Sequence, residues 1–360
     1  MDLKKIFIKN ACPTKVGGQA VLEGIMMKGE DRTAVVIRKP NGKLHIKTEL
    51  LKKNGKLHKI PVLRGVFIFA DALVTGTRTL LYSAEVLEDC EGSEGYEKDK
   101  MTLWMERKFG EKNALNMMLY FSVFLAILFT VGIFIIAPTA VVSVFKYITT
   151  NEVALNLIEG VFRILLFVIY ILLISKMKDI QTVFQFHGAE HKCIHCYENG
   201  LELTPENCVP FETLHPRCGT SFLMFVMVIS LLMFSLLGWP NLFWRIASRL
   251  LLLPVIAGLS YELLRWAGRS DSIGVKILSL PGLALQKLTT KAPDEKQLEV
   301  AIAAMKAVLV PVETPTYVGE CDKKGILVVV AEEQLVAEEQ LAEEEQSVAD
   351  KQSVADKQNL

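Results

Sequence analysis

Charged residues are missing from long parts of this 360-residue sequence, and their absence excludes an ordinary soluble chain. Asn113–Phe145 contains no charged residue across 33 positions. Apolar residues make up 51% of the chain, and its mean hydropathy is +0.32. Because about twenty consecutive apolar residues cross the hydrocarbon core of a bilayer, we expect an integral membrane protein whose partner is the lipid bilayer.

Three further absences narrow the expected function. The N-terminal residues include no apolar stretch long enough for a signal peptide. No complete nucleotide-binding glycine motif accompanies Gly17-Gly18, which we interpret as a tight turn. The basic segment 1–62 lacks interleaved aromatic residues, so we expect no nucleic-acid partner. Its fourteen Lys and Arg residues against five acids instead fit a cytoplasmic segment beside anionic lipid.

Four segments are predicted to cross the membrane: Met117–Ala137, Ala154–Ile174, Phe222–Leu237 and Arg249–Trp266. Glu159 and Arg163 lie four residues apart in the second segment and can neutralise one another there. Basic residues are concentrated in 1–62, in 176–220 and after the fourth segment. The positive-inside rule therefore predicts a multi-pass protein with both termini in the cytoplasm.

The predicted fold class is an α-helical polytopic membrane protein of about four transmembrane helices, with a small β-rich N-terminal cytoplasmic domain. Within that domain, the turn residues Pro40-Asn41-Gly42 predict a hairpin between Ala34–Ile37 and Leu44–Leu50. We divide the chain into a β-rich domain (1–62), an amphipathic helix with its connector (63–112), two spans (113–175), a His/Cys motif loop (176–221), two further spans (222–268), a C-terminal cytoplasmic segment (269–325) and an acidic low-complexity tail (326–360).

Two helices outside the spans are predicted from apolar spacing. Leu63–Ala84 is apolar but carries Arg64, Asp71 and Arg78 at intervals of seven on one face. It is expected either to lie on the membrane or to pack on the N-terminal domain, and both alternatives stay open. Asp294–Val308 has the apolar spacing of a helix in the C-terminal segment.

Histidine and cysteine are concentrated in one window, His187–Cys218, which holds four of the six histidines and four of the seven cysteines. An odd cysteine count concentrated in one segment favours metal binding or free thiols over a disulfide framework. The window begins with an H-x-x-E-H motif. If this motif is helical, His187 and His191 share one face and can bind one ion. Glu190 is the predicted general base, because this order occurs in inverted zinc peptidases.

Further ligands are available downstream, where two residues separate His215 from Cys218. If His187, His191, His215 and Cys218 all bind, the tetrahedral site is closed and structural. If only three bind, water can take the fourth position and Glu190 can polarise it. Both alternatives stay open, as does a site without metal in which the histidines form local hydrogen bonds.

Several other residues are weaker candidates. Cys193 and Cys196 form a C-x-x-C pair, which is disfavoured as a redox pair because no thioredoxin-like βαβ pattern surrounds it. Glu23 is expected to be either a metal ligand or an acceptor of backbone N–H groups. For Glu262 we favour an ion pair with Arg265 over metal ligation.

Four motifs carry a family resemblance: GGQAVLEGIMMKG at 17–29, FHGAEHK at 186–192, HPRCGTSF at 215–222 and QLEVAIAA at 297–304. They resemble the YqhQ-like family of bacterial membrane proteins, over roughly residues 14–308. The resemblance implies a metal-dependent enzyme in the bacterial plasma membrane with its metal at the His/Cys window. The positions that match are His187, Glu190, His191, His215, Cys218, Gln19 and Glu23. Cys193 and His195 rank second as ligands.

We therefore expect a metal-dependent hydrolase with a divalent cofactor, zinc, at the cytoplasmic membrane surface. The alternative is a non-enzymatic membrane scaffold or transport-related protein with a structural metal site. The charged pair Glu159/Arg163 and the helix in 63–84 motivate that alternative. The substrate and the oligomeric state are not predicted.

Overall fold

The computed structural model describes residues 6–7, 14–51, 60–91, 131–237, 241–267 and 272–309, with shorter pieces between 104 and 130 and at 318–321 and 327–328. Most of the predicted connector in 92–112 and nearly all of the acidic tail lie outside the described residues. The order and bounds of the elements follow from the described parts.

The N-terminal part forms an antiparallel sheet in chain order. Its strands are β1 (Gly17–Val21), β2 (Gly24–Lys28), β3 (Arg32–Arg38) and β4 (Leu44–Leu50). The predicted hairpin is confirmed, with Val36 opposite Ile46 and Gly42 in the turn at φ 82°, a conformation that glycine adopts without strain. Only β3 and β4 were predicted as strands: Gly17-Gly18, interpreted as a tight turn, begin β1, and β2 was not placed. Two further strands lie in the C-terminal part of the chain. β5 (Val318–Cys321) pairs with β4, and β6 (Leu327–Val328) pairs with β5.

Helices make up most of the remaining described chain. They are α1 (Leu63–Glu91), α2 (Ala137–Ser143), α3 (Glu152–Ile174), α4 (Lys178–Glu198), α5 (Pro205–Cys208), α6 (Gly219–Ser235), α7 (Leu242–Ala267), α8 (Ile273–Thr289) and α9 (Glu295–Val308). A π-helical segment, Gly132–Ile136, precedes α2, and a 3₁₀ turn, Val144–Tyr147, follows it. The helix predicted in 294–308 is confirmed, and Asp294 and Gln297 form a capping box at its start.

The main hydrophobic core lies between the sheet and two helices, α4 and α9. Ile25 and Val36 of the sheet, Phe186 of α4 and Leu298 and Met305 of α9 are all buried there. α4 thus presents one apolar face to the sheet and to α9. The polar side chains of α4 lie on another face of the helix.

Three helical segments are long and apolar enough to cross a membrane, by length and composition: Phe124–Ser143, Glu152–Ile174 and Phe243–Ala267. They correspond to the first, second and fourth predicted spans. The third predicted span falls in α6, which is apolar but shorter, at 17 residues. α6 packs against α3, α7 and α8, so it lies inside the group of apolar helices.

A charged cluster joins these apolar helices. Glu159 of α3 forms the predicted ion pair with Arg163, at 2.8 Å. The Glu159 carboxylate also accepts hydrogen bonds from Arg249 of α7, at 2.6 Å, and from Thr139 of α2, at 3.0 Å. Because Glu159 is only 1% exposed, these contacts compensate the cost of burying its charge.

α1 is longer than predicted and packs against both the sheet and α7. It reaches the sheet where Gln19 donates a hydrogen bond to the carbonyl of Gly76, at 3.3 Å. It reaches α7 where Arg64 donates to Glu262, at 2.6 Å. Glu262 was expected to pair with Arg265. Its direct partner is instead Arg64, from another helix, and Arg265 acts on it only through its nearby charge.

Candidate metal centre

α4 carries three histidines at intervals of one helical turn. His187, His191 and His195 follow one another four residues apart, so they lie on one face of the helix. The ring centroids of His187 and His191 are 4.5 Å apart. The window 176–221 was expected to be a loop, but it contains all of α4, and the H-x-x-E-H motif is helical. The helical spacing thus places the first two predicted ligands side by side.

The first group of donors consists of His187, His191 and Cys218, whose ligand atoms all lie within 4.8 Å of one another. His187 Nε2 is 3.2 Å from Cys218 Sγ. Cys218 is the N-cap residue of α6, and its sulfur accepts a hydrogen bond from the backbone N–H of Thr220. The start of an apolar helix therefore brings the thiol to the histidines of α4.

Backbone carbonyls orient both imidazoles of this group. His187 Nδ1 is 2.9 Å from the carbonyl oxygen of Thr289, and His191 Nδ1 is 2.5 Å from that of Thr213. A carbonyl beside Nδ1 favours a proton there and leaves the Nε2 lone pair available to a metal. Among the described residues, His191 Nε2 is buried and has no hydrogen-bond partner. A bound cation would satisfy this atom, so the donors fit a metal.

Opposite charges hold the first group together. Burial would raise the pKa of the Cys218 thiol, but the neighbouring imidazoles of His187 and His191 keep that pKa well below its usual value. Burial likewise opposes the charge of His187, but the Cys218 thiolate raises the pKa of His187 to about 9. The group therefore presents a thiolate, the form in which cysteine binds metals, and a cation bound here would take the place of the proton on His187.

Glu190 lies beside the donors but is not one of them. Its side chain is 5% exposed, and its carboxylate accepts a backbone hydrogen bond from Gly18 of β1. Burial raises the pKa of Glu190, while His191 and His187 act in the opposite direction. A buried carboxylate next to the ligands, with a raised pKa, is arranged as a general base requires.

His215, predicted as a fourth ligand, lies in a second group with His195 and Glu198. The ligand atoms of these three buried residues also lie within 4.8 Å of one another. The ring centroid of His215 is 4.6 Å from that of His195 and 5.6 Å from that of His191. The four predicted ligands are thus divided between two adjacent groups.

Burial keeps the histidines of the second group neutral. It lowers the pKa of His195 to about 4 and the pKa of His215 to about 3. Neutral imidazole is the form that binds metals. Gln286 of α8 holds the backbone of His215 by accepting from its N–H and donating to its carbonyl, each at 2.8 Å. Sequence reasoning missed Glu198 and Gln286.

The weaker candidates lie elsewhere. Cys193 and Cys196 are buried in the main core beside Cys208, and burial raises the pKa of Cys196 to about 12. Among the described residues, none of the three belongs to either donor group. Glu23 lies between β1 and β2 with φ 48°, and burial raises its pKa. Neither Glu23 nor Glu262 belongs to a donor group.

Comparison with known proteins identifies the family of this chain. The chain is 36% identical over 307 residues to the uncharacterized protein YqhQ of Bacillus subtilis (strain 168), an alignment that covers 84% of this chain and 94% of the relative. No solved structure matches the chain. The family model described as "Protein of unknown function (DUF1385)" matches residues 60–310, which include α1 to α9 and both donor groups. On both matches, the chain belongs to the DUF1385 family.

Proposed function

We propose that this protein is a metal-dependent hydrolase embedded in the bacterial plasma membrane. The observation that carries the proposal is the first donor group, in which His191 Nε2 is buried without a hydrogen-bond partner. Two imidazoles and one thiolate are a donor set that suits zinc. Glu190 beside them supplies the acid–base group that hydrolysis needs.

His187, His191 and Cys218 would hold the ion, and three protein ligands leave a fourth position open. A zinc ion held there would supply a Lewis acid and would lower the pKa of water to about 7. Glu190 accepts the proton that water loses and returns it to the leaving group. Gly18 positions the carboxylate through its N–H, and burial excludes bulk solvent from it.

The membrane placement is part of the proposal. The three helical segments of sufficient length supply three crossings, and we assign α6 as the fourth, because 17 residues is at the short end of the range that spans a bilayer. With four crossings and basic residues in 1–62 and 176–220, both termini and the donor groups lie in the cytoplasm. The substrate then approaches at the cytoplasmic membrane surface.

A second candidate function is a structural metal clip in a non-enzymatic scaffold. It is favoured by the location of the ligands, since two lie on α4 and the third caps α6. An ion bound there would fasten the helix that packs on the sheet to an apolar helix. In the clip a fourth protein ligand would close the coordination position that the hydrolase leaves open to water.

Cobalt substitution tests this difference directly. The full-length protein in detergent is stripped with a chelator and loaded with Co²⁺, and its visible spectrum is recorded with and without acetohydroxamate. An open site should bind the hydroxamate and change its spectrum, in Glu190→Gln as well as in the parent protein. An unchanged spectrum would refute the hydrolase and leave the clip, and failure to bind cobalt would refute both.

A further inference from the structure

We propose that the centre holds a second divalent cation, bound by His195, Glu198 and His215. This inference rests on the proposed function, because the second cation would lie beside the first. The three residues are 2%, 5% and 5% exposed, and they come from the end of α4 and from the segment before α6. The proposed mechanism gives these three residues no role.

The spacing within this group fits either a long hydrogen bond from His215 Nε2 to Glu198, since the Arg217 backbone N–H donates to Nδ1 at 3.4 Å, or a cation that takes the place of that proton. His215 Nε2 lies 3.6 Å from Glu198 Oε2, beyond the range of a strong N–H···O bond. Two ligand atoms at metal–ligand distances of about 2.1 Å in a tetrahedral site are about 3.4 Å apart. The observed gap therefore matches two ligands on one cation.

The partners of Glu198 leave one carboxylate oxygen for the cation. Oε1 accepts a hydrogen bond from the backbone N–H of Thr14, at 2.9 Å, and pairs with the guanidinium of Arg217. Both contacts are made to Oε1, while Oε2 faces His215. Arg217 thus binds the other oxygen, does not compete with the cation, and orients the carboxylate, as partners of metal ligands commonly do.

His195 is oriented in the same way. Its Nε2 lies 3.0 Å from the carbonyl oxygen of Leu214, so Nδ1 is the ring nitrogen that Leu214 leaves for a metal. A carbonyl on one ring nitrogen and a metal on the other is the usual arrangement of a histidine ligand.

The second group lies directly beside the first. His191 belongs to the first group, and its ring centroid is 5.6 Å from that of His215. The second donor set contains two nitrogens and one oxygen, which suits Zn²⁺, Fe²⁺ or Mn²⁺. Paired cations of this kind act together in phosphatases, nucleases and aminopeptidases. The proposed hydrolase would therefore have a two-metal centre.

Metal counting on the full-length protein tests the inference. The protein in detergent is stripped, reloaded with Co²⁺, separated from free metal and analysed for cobalt per chain. We expect two ions in the parent protein and one in Glu198→Gln. Because only the first group contains a thiolate, the thiolate-to-cobalt absorption per chain should stay unchanged when the second ion is lost. The exposed Glu202→Gln is the matched control and should retain two ions.

Glu198→Gln also disturbs the contact with Arg217, so His195→Asn serves as a second variant that leaves this pair intact. It too should bind one ion and keep the thiolate band. A single ion in the parent protein, lost in His187→Ala but retained in Glu198→Gln, would overturn the second site and leave the proposed function standing. Two ions in both Glu198→Gln and His195→Asn would also overturn it. A parent protein without bound cobalt would overturn both proposals.

Discussion

Gly18 of β1 lies so close to Glu190 of α4 that a Cβ on the glycine would be 3.0 Å from the carboxylate carbon. The same Cβ would be 2.7 Å from the carbonyl oxygen of Met26. Gly18 is therefore important because it has no side chain. It allows the strand to approach α4 and to donate its N–H to the proposed base.

This relationship predicts different results for two adjacent glycines. Gly18→Ala should lower the free energy of unfolding by about 1–3 kcal/mol, because a backbone oxygen must move. Gly17→Ala should change it by less than about 0.5 kcal/mol, since no atom lies within 4 Å of a Cβ there. Thermal unfolding of both variants in detergent measures the difference. Equal effects would contradict the close approach.

Metal removal should destabilise the protein, because the ion binds the folded state. At a free zinc concentration of 100 times Kd, binding adds about 2.7 kcal/mol to the free energy of unfolding. A chelator should therefore lower the Tm of the parent protein and of Glu202→Gln. In His187→Ala and Cys218→Ser the chelator should have a smaller effect, because only the ion proposed for the second group remains to be removed. The same Tm shift in these variants as in the parent would place the ion elsewhere.

The cluster around Glu159 should be far more sensitive than an exposed carboxylate in the same helix. Glu159→Gln leaves Arg163 and Arg249 without their buried partner, which costs about 3–5 kcal/mol. Glu152→Gln, at an exposed position of α3, should cost less than about 1 kcal/mol. Tm values and the yield of monodisperse protein compare the two. Similar losses would mean that Glu159 does not carry a buried charge pair.

The contact between α1 and α7 should depend more on backbone packing than on its ion pair. A Cβ on Gly258 would lie 2.5 Å from the carbonyl oxygen of Val62, so Gly258→Ala should cost about 1–3 kcal/mol. Glu262→Gln removes a partly exposed ion pair with Arg64 and should cost about 1 kcal/mol or less. Gly274→Ala, which meets no atom within 4 Å, is the control. Unfolding measurements that reverse this order would contradict the predicted packing.

Local patterns predicted the elements whose contacts are local. The turn Pro40-Asn41-Gly42 predicted the hairpin, and helical spacing predicted that His187 and His191 are neighbours. The same helical face continues through His195 to Glu198, so two of the three members of the second group could have been found by extending the helix by two turns. Glu198 was missed because only histidines and cysteines were considered as ligands in this part of the chain.

Long-range contacts could not be predicted in this way. Two residues separate His215 from Cys218, which suggested a shared ion, but outside a regular helix spacing does not determine where side chains point. Cys218 turns to cap α6, and His215 turns towards Glu198. Glu262 was assigned to the nearest arginine along its own helix, whereas its partner is Arg64, from a distant part of the chain.

The position of Cys218 at the N-cap of α6 also restricts how this residue can change during evolution. Serine, threonine, aspartate and asparagine are the preferred residues at the start of a helix, and each would preserve the first turn of α6. None of them offers a soft sulfur ligand to zinc. Among the amino acids, only cysteine combines a short capping side chain with a thiolate, so a descendant that abandons the metal could drift to serine without losing its fold.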